Sequence, residues 1–234
     1  MIERRTFLGL MSASVALGAS NHAFAQDACS VYTPERQKAV TPEQAVQFLR
    51  DGNSRFVNGS TINCDLRAQV KATATGQAPF AVVVGCIDSR APPELVFDQR
   101  LGDIFAVRIA GNFVNPDILG SLEFACKVAG SKAIVVLGHS QCGAVKGAID
   151  QAKLGNLTAM LQRFEPAIAE TKFEGARSSK DKKLVQAVAD THAKLTAKMI
   201  LAGSQLLKEM ADMKEITVVA AMHDLATGKV SFFG

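Results

Sequence analysis

The chain has 234 residues, of which 48% are hydrophobic, enough for one globular domain with a sizeable core. Its net charge of +4 is slight and dispersed, which argues against a nucleic-acid partner. With no tryptophan and one tyrosine it has no aromatic platform for stacking bases either.

Residues 1–25 read as an export leader outside the fold. Arg4-Arg5-Thr6-Phe7-Leu8 places a twin-arginine pair ahead of a moderately apolar run from Leu8 to Ala19, and Ala23-Phe24-Ala25 offers small residues around a cleavage point before Gln26. The run is too short and too rich in Gly, Ala and Ser to span a bilayer, so no stable membrane anchor is expected after cleavage. The expected destination is the periplasm or the exterior, where thiols oxidise. Twin-arginine export carries folded proteins, which suits a metal loaded beforehand.

Residues 26–78 form an N-terminal arm and 79–234 the core, together one domain. Residues 26–40 read as an extended polar leader. A helix starts at Thr41-Pro42-Glu43-Gln44, with Thr41 as N-cap, proline at the first helical position and Gln44 completing a capping box. Val46, Leu49, Phe56 and Val57 give it an apolar side that must pack on something, a partner subunit among the candidates, and Asn58-Gly59 stops it. Residues 60–78 read as a polar connection.

From Phe80 strands and helices alternate. The first strand ends at Cys86 and a short helix follows Pro92-Pro93. The second strand runs from Ile104 to Ile109, and a helix capped by Asn115-Pro116 reaches about Ala129. A third strand, Ala133 to Leu137, precedes helical sequence from about Cys142 and again from Asn156 to Glu170. The longest helix is expected from Lys180 to Met213, with Leu184, Val188, Leu195, Met199 and Leu206 on its core face and His192 with the lysines in solvent. The fourth strand is Ile216 to Met222; Thr227-Gly228 turns the chain into a last strand, Val230 to Phe233, paired antiparallel at an edge. This predicts an α/β single domain: a four-stranded parallel sheet with an added antiparallel edge strand, helices on both faces and an N-terminal helical arm.

Val82-Val83-Val84-Gly85-Cys86 and Val135-Val136-Leu137-Gly138-His139-Ser140-Gln141-Cys142 are the most informative stretches. Each is a β-branched run that stops at glycine and then presents a metal-ligand side chain. Parallel sheets carry their sites outside the carboxyl ends of the strands, so Cys86, His139 and Cys142 arrive at one sheet edge. Two thiolates and an imidazole suit zinc, and three protein ligands leave a fourth position open, as catalytic zinc requires. Two more cysteines, Cys29 and Cys64, flank the arm and can pair in an oxidising compartment, although spacing alone leaves the pairing open. Cys126, set among Leu119, Leu122, Phe124 and Val128, reads as a small core residue.

The motif Cys-x-Asp-Ser-Arg at Cys86 to Arg90, followed by His-x-x-Cys at His139 to Cys142, resembles the β-class carbonic anhydrases. The resemblance extends over Gly76 to Phe80, Ala91 to Glu94, Leu101 to Asn112, Gly138 to Ala144 and the closing Asp224 to Val230, and spans about Thr41 to Gly234. It implies reversible hydration of carbon dioxide to bicarbonate and a proton, one Zn²⁺ per subunit, and a homodimer or tetramer. Two thiolates cancel the charge of the metal, so its water needs further help. Asp88 can accept a hydrogen bond from a zinc-activated hydroxide and aim its lone pair, and Arg90 can hold Asp88 ionised through a bidentate pair; the resemblance assigns the same roles.

By the same resemblance Gln77 hydrogen-bonds bicarbonate, while Phe105 and Ala110 form the apolar wall for carbon dioxide. Two departures stand out: Phe124 follows Glu123 where many relatives have tyrosine, and His223 replaces a tyrosine before Asp224, its expected place being the closing hairpin. The family divides into sites with water on zinc and allosteric sites in which the aspartate closes onto zinc using a Trp, Arg and Tyr set. A chain without tryptophan and with Gln77, Phe105 and Ala110 fits the open kind. Carbonyl sulfide or carbon disulfide hydrolysis is an alternative on the same fold, and a non-catalytic zinc or redox-sensing module is a second. The Asp88-Arg90 pair argues against the latter, because structural zinc needs no such pair.

Overall fold

A computed structural model describes residues 29–233. The twin-arginine pair and the cleavage point expected after Ala25 lie outside them. Among the described residues the apolar runs become β1 (Ala81–Gly85), β2 (Ile104–Arg108), β3 (Ala133–His139) and β4 (Thr217–His223), all parallel, with β5 (Val230–Phe233) antiparallel to β4. Their order is β2-β1-β3-β4-β5. β1 and β3 are buried at every position, which is why their sequences show no polar alternation. β2 is an edge and half-exposed.

Helices close both faces. Beneath the sheet, α1 (Pro34–Lys38), α2 (Pro42–Val57) and α3 (Leu66–Thr73) make up the arm, and α4 (Pro93–Val96) follows β1. The other face takes α5 (Pro116–Glu123), α6 (Gly143–Ile149), α7 (Gly155–Leu161), α8 (Glu165–Glu170), α9 (Lys182–Gly203) and α10 (Gln205–Asp212). Val82, Val84, Ile134 and Val136 share a cluster with α9, whereas Val83, Val135 and Leu137 share one with the arm. No helix among the described residues is long and apolar enough to cross a membrane.

The arm is more helical than its sequence suggested. Residues 26–40 were expected to be extended, yet Thr33 caps α1; residues 60–78 were expected as a polar connection, yet Asp65 caps α3. The box at α2 forms, with Gln44 N donating to Thr41 Oγ1 at 3.2 Å and Thr41 N to Gln44 Oε1 at 2.9 Å. Val46 and Leu49 pack with Phe80, Val83 and Phe97, so that part of α2 covers its own sheet and needs no partner subunit. Cys29 and Cys64 are joined in a disulfide, with Cα atoms 5.5 Å apart. Buried Gln37 donates to the Pro79 carbonyl at 2.7 Å and to the Ala129 carbonyl at 2.6 Å, tying α1 to the start of β1 and the end of α5.

On the other face two long helices break up. α5 widens into a π turn over Phe124–Val128, where Ala129 N donates to the Phe124 carbonyl at 2.9 Å. The stretch from Asn156 to Glu170 divides into α7, a tight turn over Gln162–Phe164, and α8. The helix expected from Lys180 to Met213 stops at Ser204, whose Oγ accepts from Leu207 N at 3.2 Å and donates to Glu123 Oε1 at 2.6 Å. Within that helix Met199 is 45% exposed and Ile200 fills the core instead. His192 does not sit with the lysines in solvent: it is buried, stacked on Phe164 with ring centroids 4.3 Å apart.

Candidate metal centre

The three candidate ligands come from two neighbouring strands because the sheet is parallel. Register pairs Gly85 with Leu137, so Cys86 leaves β1 beside the end of β3, where His139 closes the strand and Cys142 precedes α6. Gln141, at φ +58°, turns the chain between the last two. Cys86 Sγ, Cys142 Sγ and a His139 ring nitrogen lie within 4.8 Å of one another, and all three residues are buried.

His139 Nδ1 lies 2.9 Å from the Ser140 carbonyl, so Nδ1 carries the proton and Nε2 keeps its lone pair. That Nε2 is buried and has no hydrogen-bond partner. An orphaned imidazole nitrogen beside two sulfurs is costly unless a cation satisfies it, so the donor set fits zinc. The sulfurs are poised unequally. The hydrogen bond from Cys142, with the nearness of His139 and the Gly111 N–H, overcomes burial and holds Cys86 well below the ordinary thiol range. Cys142 is raised, because it donates to Cys86 and is buried. Burial pulls His139 down, but attraction to the Cys86 thiolate outweighs it and the net direction is up.

Asp88 stands at the rim. Its carboxylate accepts Arg90 Nε at 2.9 Å and Nη2 at 2.7 Å, and also Arg90 N at 3.0 Å. The bonds from Arg90 outweigh burial and hold Asp88 well below the usual carboxylate range. Asp88 Oδ2 is 3.8 Å from His139 Nε2, so the dyad adjoins the three donors. Ala110 is half-buried beside them, between Ile109, whose N–H donates to the Gly85 carbonyl at 3.0 Å, and Gly111, whose N–H donates to Cys86 Sγ at 3.2 Å.

Gln77 and Phe105 are elsewhere within this chain. Gln77 is exposed before β1, and Phe105 pairs with Val82, four residues and about 13 Å of strand back from Cys86. His223 ends β4 in register with His139 on one side and with Val230 of the hairpin on the other. It is buried with Nδ1 unpartnered, and burial followed by the nearness of His139 lowers it. Phe124 is 50% exposed.

Two contacts escaped the sequence. Arg108, the last residue of β2, donates from Nε to the Cys86 carbonyl at 2.9 Å and from Nη2 to the Asp88 carbonyl at 2.6 Å. It clamps the loop that carries both Cys86 and Asp88. Its one sequence signal is an arginine closing an apolar strand. His192 is the other: its Nε2 lies 2.9 Å from the Gly111 carbonyl.

The family model for carbonic anhydrase matches residues 81–230. Carbonic anhydrase 2 of Mycobacterium tuberculosis is 33% identical over 196 residues, covering 81% of this chain and 92% of that protein. Among solved structures, the β-carbonic anhydrase CafA of Aspergillus fumigatus superposes with a TM-score of 0.62 at 26% identity, over 71% of this chain and 81% of the other. A structure of the tetrameric β-carbonic anhydrases of Sordaria macrospora superposes at 0.61 with 24% identity, over 72% and 90%, a likeness of fold.

Proposed function

The chain belongs to the β-class carbonic anhydrases, and from that premise we propose that it interconverts carbon dioxide and bicarbonate at Cys86, His139 and Cys142, with one zinc ion per chain. The observation that carries the reading is a buried Cys-His-Cys donor set with an arginine-locked carboxylate on its rim. Zinc held there supplies an acidified water and a Lewis-acidic charge next to the substrate.

The chain's own groups do the rest. Asp88, kept ionised by Arg90, accepts a hydrogen bond from the attacking water and turns a lone pair of that water toward the substrate carbon. Because Arg90 engages both of its oxygens, Asp88 is restrained from becoming a ligand, which supports the open kind of site. Arg108 fixes the loop so that the donor and the carboxylate keep their spacing. Ala110, next to the glycine whose N–H bonds Cys86, serves as apolar wall for carbon dioxide.

Gln77 and Phe105 take part when a second copy brings them to the site, since their own chain holds them at the opposite end of the strands. The edge position of β2 and an apolar hollow of about 570 Å³, lined by Phe105, Val107 and Phe124 among others, support a homodimer through this face. The twin-arginine leader supports export to the periplasm or exterior, as does the Cys29–Cys64 disulfide, a bond that persists in oxidising compartments. Stopped-flow assays on the zinc-loaded protein, with carbon dioxide and carbonyl sulfide in parallel, test the substrate. Faster turnover of carbonyl sulfide than of carbon dioxide would reject this reading, and a fully active monomer in light scattering would reject the dimer.

A further inference from the structure

Gly111 makes two bonds that point to different parts of the protein. Its N–H donates to Cys86 Sγ at 3.2 Å, and its carbonyl accepts from His192 Nε2 at 2.9 Å. Its φ of +82° lies in the left-handed region that glycine tolerates, so the direction of that N–H depends on what holds the residue. A Cβ here would come within 2.2 Å of Phe164 Cζ, so the backbone rests directly on that ring. Phe164 in turn stacks on the His192 imidazole at 4.3 Å and 27°. His192 is anchored on α9, inside the core cluster, and both aromatic residues are buried. Burial favours the neutral ring, in which Nε2 carries the hydrogen that the Gly111 carbonyl needs.

We infer that His192 is a positioning residue for the metal centre: bonded to the Gly111 carbonyl and stacked on Phe164, it fixes the N–H that Gly111 directs at Cys86 Sγ. Hydrogen bonds to a ligand sulfur orient it and tune how much charge it gives to a metal, so a residue two bonds away from the ligand can set both affinity and spectrum. This inference rests on Cys86 being a metal ligand, and the experiment separates the two.

Cobalt(II) is titrated into the metal-free protein against a chelating indicator, and the thiolate-to-cobalt absorption is recorded. Cys86→Ser is the control: cobalt binding with unchanged affinity and absorption in that variant would overturn the ligand assignment itself. His192→Phe keeps a ring on Phe164 but loses the donor. It should bind cobalt about tenfold more weakly or worse and move the absorption band, with the thermal midpoint of the metal-free protein little changed. His192→Gln, whose side-chain amide reaches about as far as Nε2, should recover most of both. Wild-type affinity and spectrum in His192→Phe would overturn the inference, and so would a His192→Gln variant as impaired as His192→Phe. Should His192→Phe not fold, Phe164→Leu, which leaves the donor but removes the stack, should shift the band in the same direction by less; an unmoved band there would overturn it as well.

Discussion

Arg90 grips Asp88 with two near-parallel bonds, Nε to Oδ1 at 2.9 Å and Nη2 to Oδ2 at 2.7 Å, two residues from a buried sulfur donor. Arg90 is largely solvent-exposed and Asp88 is not. An exposed pair of this kind contributes little to stability, and in the proposed mechanism its value lies in holding one carboxylate ionised and aimed. Asp88→Asn should therefore keep the metal and the fold yet lose about a hundredfold in turnover, roughly 3 kcal/mol at the transition state. Arg90→Ala should behave similarly, and the double variant should lose much less than the sum, because the two act as a unit. Turnover at saturating buffer checks this, and additive losses would separate their roles.

Arg108 offers a different signature. Removing it with Arg108→Met leaves the carbonyls of Cys86 and Asp88 without their charged donor. Each such bond is worth about 1.5–3 kcal/mol. Metal affinity and turnover should fall together, unlike in Asp88→Asn, where metal is retained. Metal content measured beside turnover distinguishes the two patterns.

The strand ends and the meeting of the three donors there were legible because both central strands are buried on two faces and read as unbroken apolar runs ending at glycine. The capping box at Thr41 was legible for a local reason, its partners being three residues apart. What escaped depends on tertiary contacts. At the break Ser204 bonds Glu123 of another helix, and the lone histidine of α9 looks like a solvated residue until Gly111 and Phe164 meet it. α1 and α3 are short, and their caps Thr33 and Asp65 gave weak signals without a long apolar stripe behind them. Gln77 and Phe105 carry a role by resemblance alone, and no single chain brings them to the metal donors.

The Cys29–Cys64 disulfide closes a loop of 35 residues that includes α1 and α2. Loop-closure entropy of that length corresponds to at most about 4 kcal/mol of stabilisation. The double variant Cys29→Ser, Cys64→Ser should unfold at lower denaturant while binding zinc as the wild type does. Loss of zinc together with the disulfide would show that the arm also supports the metal centre.

His192 makes stability fall in acid. Burial, opposed by its bond to Gly111, lowers it to about 4, below the ordinary value of about 6.5 in the unfolded chain. The neutral ring is favoured on folding, so its contribution is complete above about pH 6.5 and is lost as pH falls toward 4. The contribution amounts to at most about 3 kcal/mol. Urea unfolding of the metal-free protein at pH 7 and near pH 4 should show a larger loss in wild type than in His192→Phe. Equal losses would assign the acid sensitivity to other groups.

Carbon dioxide hydration by the zinc-loaded protein, followed by stopped flow alongside metal analysis of Cys142→Ser, tests the central claim most directly. Hydration well above the buffer rate is expected, with zinc and activity both lost when Cys142 loses its sulfur. A zinc-loaded wild type no faster than buffer, or a Cys142→Ser variant that keeps full zinc and full activity, would contradict it.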